Sequence, residues 1–201
     1  RTTAGASFIS NGATSIMTLN VYGNYMMNGD TVKAGGASGA INMNINGNFS
    51  MSSGTINANG ASSVSNIKVK GNYSASGTAI MINTGAGCTS VVHLCLPTGS
   101  GTMMVDNTST GTWSGTNIFV DAGCTAQLDG NFSTTTGAAT FGLTVNGTLI
   151  CPSAYVVNGT RVFTLNSGGT LQVAHAAGIN GAILTTGTKT FSPSANYMFI
   201  G

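Results

Sequence analysis

One phrase recurs along this chain: an apolar residue, a polar one, an apolar one, any residue, then Gly, Asn and an aromatic. It appears as Leu19-Asn20-Val21-Tyr22-Gly23-Asn24-Tyr25, as Met43-Asn44-Ile45-Asn46-Gly47-Asn48-Phe49 and as Ile67-Lys68-Val69-Lys70-Gly71-Asn72-Tyr73, with the glycines 24 residues apart. A fourth copy is Ala126-Gln127-Leu128-Asp129-Gly130-Asn131-Phe132, and a looser fifth is Leu143-Thr144-Val145-Asn146-Gly147-Thr148-Leu149. Counted from the glycine, positions −4, −2 and +2 are apolar in every copy, while position −3 is Asn20, Asn44, Lys68, Gln127 or Thr144. A period of two marks a strand with one buried face; a helix needs 3.6.

A second motif is interleaved. Val120-Asp121-Ala122-Gly123-Cys124-Thr125-Ala126-Gln127-Leu128 aligns without gaps on Leu165-Asn166-Ser167-Gly168-Gly169-Thr170-Leu171-Gln172-Val173, and Gly87-Cys88-Thr89 with Val92 is a partial third copy. Each reads as strand, tight turn, strand, the turn made by residues that tolerate positive φ. Repeats of this length built from short strands and Gly/Asn corners predict an all-β, parallel β-helix whose coils stack about 4.8 Å apart. At roughly 22 residues per coil, the 201 residues make about nine coils. The whole of 1–201 reads as one solenoid segment: regular over 1–75, irregular over 76–125 and regular again over 126–201. Arg1 and Ile200-Gly201 read as cuts through a longer repetitive protein.

The stacking explains an unusual charge content. Only 5% of residues are charged, six Lys/Arg against four acids, all Asp, where an ordinary domain has about a quarter. In a stack, equivalent positions form ladders. Like charges about 4.8 Å apart repel by roughly 0.9 kcal/mol even at the dielectric of water, whereas Asn, Ser and Thr can hydrogen-bond along the ladder. The same arithmetic excludes other classes. Exposed helix faces lack their usual Glu and Lys, net +2 cannot neutralise many phosphates, and no apolar run approaches the roughly twenty residues of a membrane helix.

From Leu143 onward the succession Leu143-Thr144-Val145-Asn146-Gly147-Thr148-Leu149, Phe163-Thr164-Leu165-Asn166-Ser167-Gly168-Gly169-Thr170-Leu171-Gln172-Val173, Gly178-Ile179-Asn180-Gly181-Ala182-Ile183 and Thr186-Gly187-Thr188-Lys189-Thr190-Phe191-Ser192 with Ala195-Asn196-Tyr197 is distinctive. With the Gly-Asn-Phe/Tyr copies of the first half, it resembles the very large repetitive surface proteins of Bacteroidota exported by type IX secretion. The resemblance covers most of the chain, most specifically 143–201, and is to a repetitive style more than to a catalytic family. It implies a right-handed parallel β-helix used as a stalk or adhesive module, secreted or at the cell surface. Asp30-Thr31-Val32 matches the Asp-Ser/Thr-apolar pattern on which that phylum attaches O-glycans, which implies a glycan on Thr31; the bland alternative is a turn entering a strand. The Asn-x-Ser/Thr sequons at Asn48, Asn72, Asn107, Asn131, Asn146 and Asn158 read as by-products of composition.

Candidate chemistry is sparse. Cys88, Cys95, Cys124 and Cys151 are an even set that fits one or two disulfides in an exported chain, with buried thiols as the alternative; no Cys-x-x-Cys or His spacing suggests zinc. Solenoid lyases and hydrolases need clustered carboxylates. Of Asp30, Asp106, Asp121 and Asp129, only Asp106 and Asp129 stand about one coil apart, and Asp121 and Asp129 occupy repeat positions filled elsewhere by neutral residues or Lys. His93 reads as an outward strand residue, and His175 precedes a small-residue turn. Tyr25, Phe49, Tyr73 and Phe132 share the parity of the buried positions and predict an internal aromatic stack. Trp113, in a Gly/Ser/Thr-rich run, is a ligand contact if it stands exposed. Pairs such as Thr108-Ser109-Thr110, Thr186-Gly187-Thr188 and Thr188-Lys189-Thr190 do not recur at the coil period that an ice-binding face requires.

These features together predict a non-catalytic structural or adhesive segment without cofactor or metal. Its partners would be further repeats or subunits joined at the solenoid ends or edges, and surface glycans or a host substratum. The alternatives are an ice-binding solenoid and a carbohydrate-binding or polysaccharide-degrading β-helix.

Overall fold

The computed structural model describes residues 7–10, 13–35, 37–58, 62–83, 89–95, 101–134 and 141–201. The strands form three sheets, of four, eight and nine strands, and every pairing among them is parallel. The eight-stranded sheet stacks Ile16–Val21, Ala40–Ile45, Val64–Val69, Thr89–Leu94, Thr116–Val120, Gly142–Val145, Val162–Leu165 and Lys189–Phe191 in chain order. This is a β-solenoid, with one short helix, Ile179–Ala182, inserted in the last coil.

It has about seven turns rather than nine. The coils are longer than 22 residues: Met43 pairs with Ile67, Ile67 with Val92, Val92 with Ile118, Ile118 with Leu143 and Phe163 with Lys189. Only the step from Leu143 to Phe163 is short. Through 76–125 the eight-stranded sheet continues without a break in register. The change there is on the third side, where the four-stranded sheet ends at Ile80–Asn83.

The period of two carries the core. Met43, Ile45, Ile67, Val69, Ala126, Leu128 and Val145 are fully buried, and Leu143 nearly so, while the residues between them face outward. Each fully buried Ile, Val, Met or Phe contributes about 1.5–3 kcal/mol. The aromatics of the phrase stack along the axis inside. Tyr25 and Phe49 have centroids 6.0 Å apart, Phe49 and Tyr73 5.3 Å apart with an interplanar angle of 8°, and Tyr73 and Phe132 6.4 Å apart.

The Gly-Asn corner explains itself in the stack. The Asn48 amide hydrogen is donated to the Asn24 side-chain oxygen at 2.9 Å, and that of Asn72 to the Asn48 side-chain oxygen at 2.9 Å. In the next coil the amide of Met104, within the strand Met103–Asn107, donates to the Asn72 side-chain oxygen in the same way. A side-chain oxygen of one coil thus accepts a main-chain donor of the next. Coils meet here with no clearance: a Cβ on Gly71 would sit 2.5 Å from the Asn48 side-chain oxygen and 2.6 Å from the Gly47 carbonyl carbon, and Gly47 meets Asn24 and Gly23 alike. The second motif needs glycine for a different reason. Gly123 and Gly168 hold φ near 79° and 78° in the turns between Thr116–Val120 and Thr125–Thr134, and between Val162–Leu165 and Thr170–Val173.

Gly71→Ala is therefore expected to lower stability by about 1–3 kcal/mol, the cost of overpacking. Gly23→Ala on the first coil, where an added Cβ meets nothing within 4 Å, is expected to change it by less than about 0.5 kcal/mol. Urea unfolding of the two variants, followed by circular dichroism, checks the contrast.

Candidate functional site

Charge gathers on the outer face of the eight-stranded sheet. Register places Asn20, Asn44, Lys68, His93, Phe119, Thr144, Thr164 and Thr190 in one outward column. The neighbouring column, one position past the strand ends, holds Tyr22, Asn46, Lys70, Cys95, Asp121, Asn146, Asn166 and Ser192. At both ends the columns are neutral and hydrogen-bonded along the stack: Asn44 Nδ2 donates to Asn20 Oδ1 at 2.8 Å, and Asn166 Nδ2 to Asn146 Oδ1 at 2.7 Å. Over three middle rungs they become Lys68-His93-Phe119 and Lys70-Cys95-Asp121. His93 Nδ1 lies 2.8 Å from Asp121 Oδ1, and its ring stacks on Phe119 at 5.5 Å.

An imidazole oriented by a carboxylate is half of a nucleophilic triad, and Cys95 shares its face. The thiol, however, donates to the Val69 carbonyl at 3.5 Å. Burial and the Asp121 charge push its pKa up against the smaller opposing effect of Lys68 and Lys70, so it is not an activated thiolate.

The nine-stranded sheet carries the acidic pair. Asp106 is half-buried, and Gly130 of the next coil packs directly on its Cβ. Burial raises its pKa, a hydrogen bond with Ser74 opposes this, and the charge of Asp129 adds to the rise. Two neighbouring carboxyls with one held protonated longer is a pattern that proton-transfer chemistry uses. Asp30 is fully buried beneath the outward, half-buried Thr31, which stands between Ser7 and Thr55 on the four-stranded sheet. His175 accepts from the Ala177 amide at 3.2 Å, apart from His93 and the acids. Among the described residues no three His, Cys, Asp or Glu side chains gather closely enough to hold a metal.

Two sequence expectations are corrected. Cys95, Cys124 and Cys151 form no disulfide with one another, because Cys124 and Cys151 point into the core while Cys95 faces outward; Cys88 lies outside the described residues. Trp113 is 4% exposed and lines a small pocket with Asn107, Thr116, Thr134 and Arg161; its Gly/Ser/Thr-rich surroundings disguised a core position. Arg161 was missed. It is 2% exposed, its Nη1 donates to the Thr116 carbonyl at 3.4 Å, and burial lowers its pKa to about 10. Its parity with Phe163 and Leu165 was the signal. The His93–Asp121 contact was missed because nothing in the local sequence marks the longer coil between them.

Outward threonines form rows one residue wide. One is Thr144, Thr164 and Thr190; another is Thr125, Thr148 and Thr170. The last coil leaves its inward positions uncovered: Tyr197 and Phe199, which follow buried Leu171 and Val173 in register, are 37% and 68% exposed. Compared with known proteins, the chain matches no family model, no curated protein and no solved structure.

Two outcomes are expected. In the native state a thiol reagent modifies Cys95 well before the buried Cys124 or Cys151, and burial pushes the Cys151 thiol up to about 12; peptide mapping after timed labelling checks the order. For Asp106 the folded pKa is raised, so its contribution to stability is complete below the unfolded value of about 3.9 and is lost as pH rises through the folded value. Asp106→Asn should therefore match the parent at pH about 3 and exceed it near neutrality, read from urea unfolding across pH.

Proposed function

We propose that this chain is a non-catalytic structural or adhesive segment of a secreted or cell-surface protein, a stiff rod that joins further coils of its own kind. The observation that carries the reading is the uncovered last coil. Tyr197 and Phe199 present core-parity side chains to solvent, on a strand whose outer edge has no partner strand among the described residues. A free edge over exposed core residues accepts another strand, and every pairing along the stack is already parallel, so an added coil continues the same polarity. Such a head-to-tail contact does not close and propagates as a rod. The long axis of that rod is lined by main-chain hydrogen bonds and Asn ladders. The low charge fits the same role, because neutral ladders stack indefinitely. The one-residue width of the threonine rows supports a rod over an ice-binding face, which needs adjacent rows in register. Secretion and the Bacteroidota setting rest on the sequence resemblance alone.

The purified chain is expected to show mass that rises with concentration by light scattering, and end-joined elongated particles by electron microscopy. Phe199→Lys should abolish both without loss of the circular dichroism signal. A chain that stays monomeric at all concentrations counts against end-joining of copies, and thermal hysteresis of its solutions would favour the ice binder.

A further inference from the structure

We propose that the outer face of the eight-stranded sheet around Lys68, Lys70 and His93 binds an acidic polysaccharide, a glycan chain bearing carboxylates, laid along the solenoid axis. The site is where the neutral ladders stop. Lys68 and Lys70 are both exposed on the same side of one coil, about 6.7 Å apart along a strand, and repel by about 0.6 kcal/mol even at the dielectric of water. Lys68 is also the register partner of His93. Elsewhere the outward columns of this sheet avoid such contacts. A carboxylate seated between the two ammonium groups converts repulsion into attraction. Asp121 engages His93 Nδ1 and leaves Nε2, on a side chain 30% exposed, as the ring's remaining hydrogen-bonding atom.

A glycan fits this face better than an acidic peptide. The main-chain donors and acceptors of these strands are spent on the coils above and below, so a peptide cannot add here as a strand. Recognition is left to side chains repeated about every 4.8 Å. Those flanking the three charged rungs are Asn44 and Asn46 on the Lys68 side and, beyond Phe119 and Asp121, Thr144 and Asn146 on the other, amides and hydroxyls with spare hydrogen-bonding capacity for sugar hydroxyls. Tyr22, 86% exposed and two rungs from Lys70 in the same column, offers an amphipathic ring at the edge of the strip. The acidic pair Asp106 and Asp129 is on the other large sheet, so the two faces differ in sign.

The test is titration of the intact chain with polygalacturonate at low salt, with dextran as the neutral glycan, poly-glutamate as the acidic peptide and inorganic phosphate as the free anion. Polygalacturonate should bind, weaken as salt is raised, and lose at least tenfold in affinity with the double substitution Lys68→Gln and Lys70→Gln. Lys33→Gln, on the four-stranded sheet, should change nothing. Retained folding of the variants is read from circular dichroism. Failure of polygalacturonate to bind, an equal loss in Lys33→Gln, or equal affinity for poly-glutamate, phosphate or dextran each overturns the assignment. None of these outcomes touches the rod, whose test reads association of the ends.

Discussion

Close registration of one coil on the next is the condition on which the rest of this molecule depends. It is plain at the Gly-Asn corner, where a side-chain oxygen accepts a main-chain donor from the neighbouring coil and no room remains for a Cβ. That contact sets the rung spacing, and the spacing then decides which side chains meet. Inside, it brings Tyr25, Phe49 and Tyr73 into a nearly parallel stack. Outside, it brings Asn onto Asn. A sequence that repeats under such a constraint favours residues compatible with their own copies, which apolar and neutral polar groups are and like charges are not.

Polar exceptions show what the stack tolerates. The Tyr73 hydroxyl is buried without a hydrogen-bond partner among the described residues, and burial followed by the Asp106 charge holds its pKa well above the ordinary phenol value. Its ring position is dictated by the column, and the hydroxyl goes where the ring takes it, at a desolvation cost of about 1–3 kcal/mol. Arg161 is the costlier case, a guanidinium among core side chains beside a small pocket. Its long side chain reaches the Thr116 carbonyl of an earlier coil.

Fold class, strand parity and the internal aromatic column were legible because the Gly-Asn-aromatic phrase carries register and facing together. Where the phrase is missing, between Gly71 and Gly130, legibility failed in a particular way. Alternation still placed Val92 and Leu94 inward, but nothing local stated how many residues the coil spends on its third side. The coil count came out too high, and His93 and Asp121 were not seen as neighbours. Trp113 misled because its context is written in surface residues, although its ring is in the core. Arg161 was readable from parity alone, set two residues before Phe163 on an inward face, and a charged residue there is easily passed over as an outward one.

The coils differ in circumference, from the short step between Leu143 and Phe163 to the long one between Tyr73 and Val105, yet the eight-stranded sheet keeps its registration and the nine-stranded sheet shifts between Val105 and Asn107, whose partners are Leu128 and Phe132. Most variation in chain length is absorbed at the bends, and the shift within the nine-stranded wall adds an even number of residues, which keeps the facing of the side chains. In evolutionary terms the cheap changes are therefore of two kinds: gain or loss of residues on the third side, and duplication or deletion of an entire coil. A single-residue insertion within a wall strand is the expensive change, because it would turn every later side chain on that strand inside out. A lineage built on this architecture can lengthen by copying itself while its cross-section stays fixed.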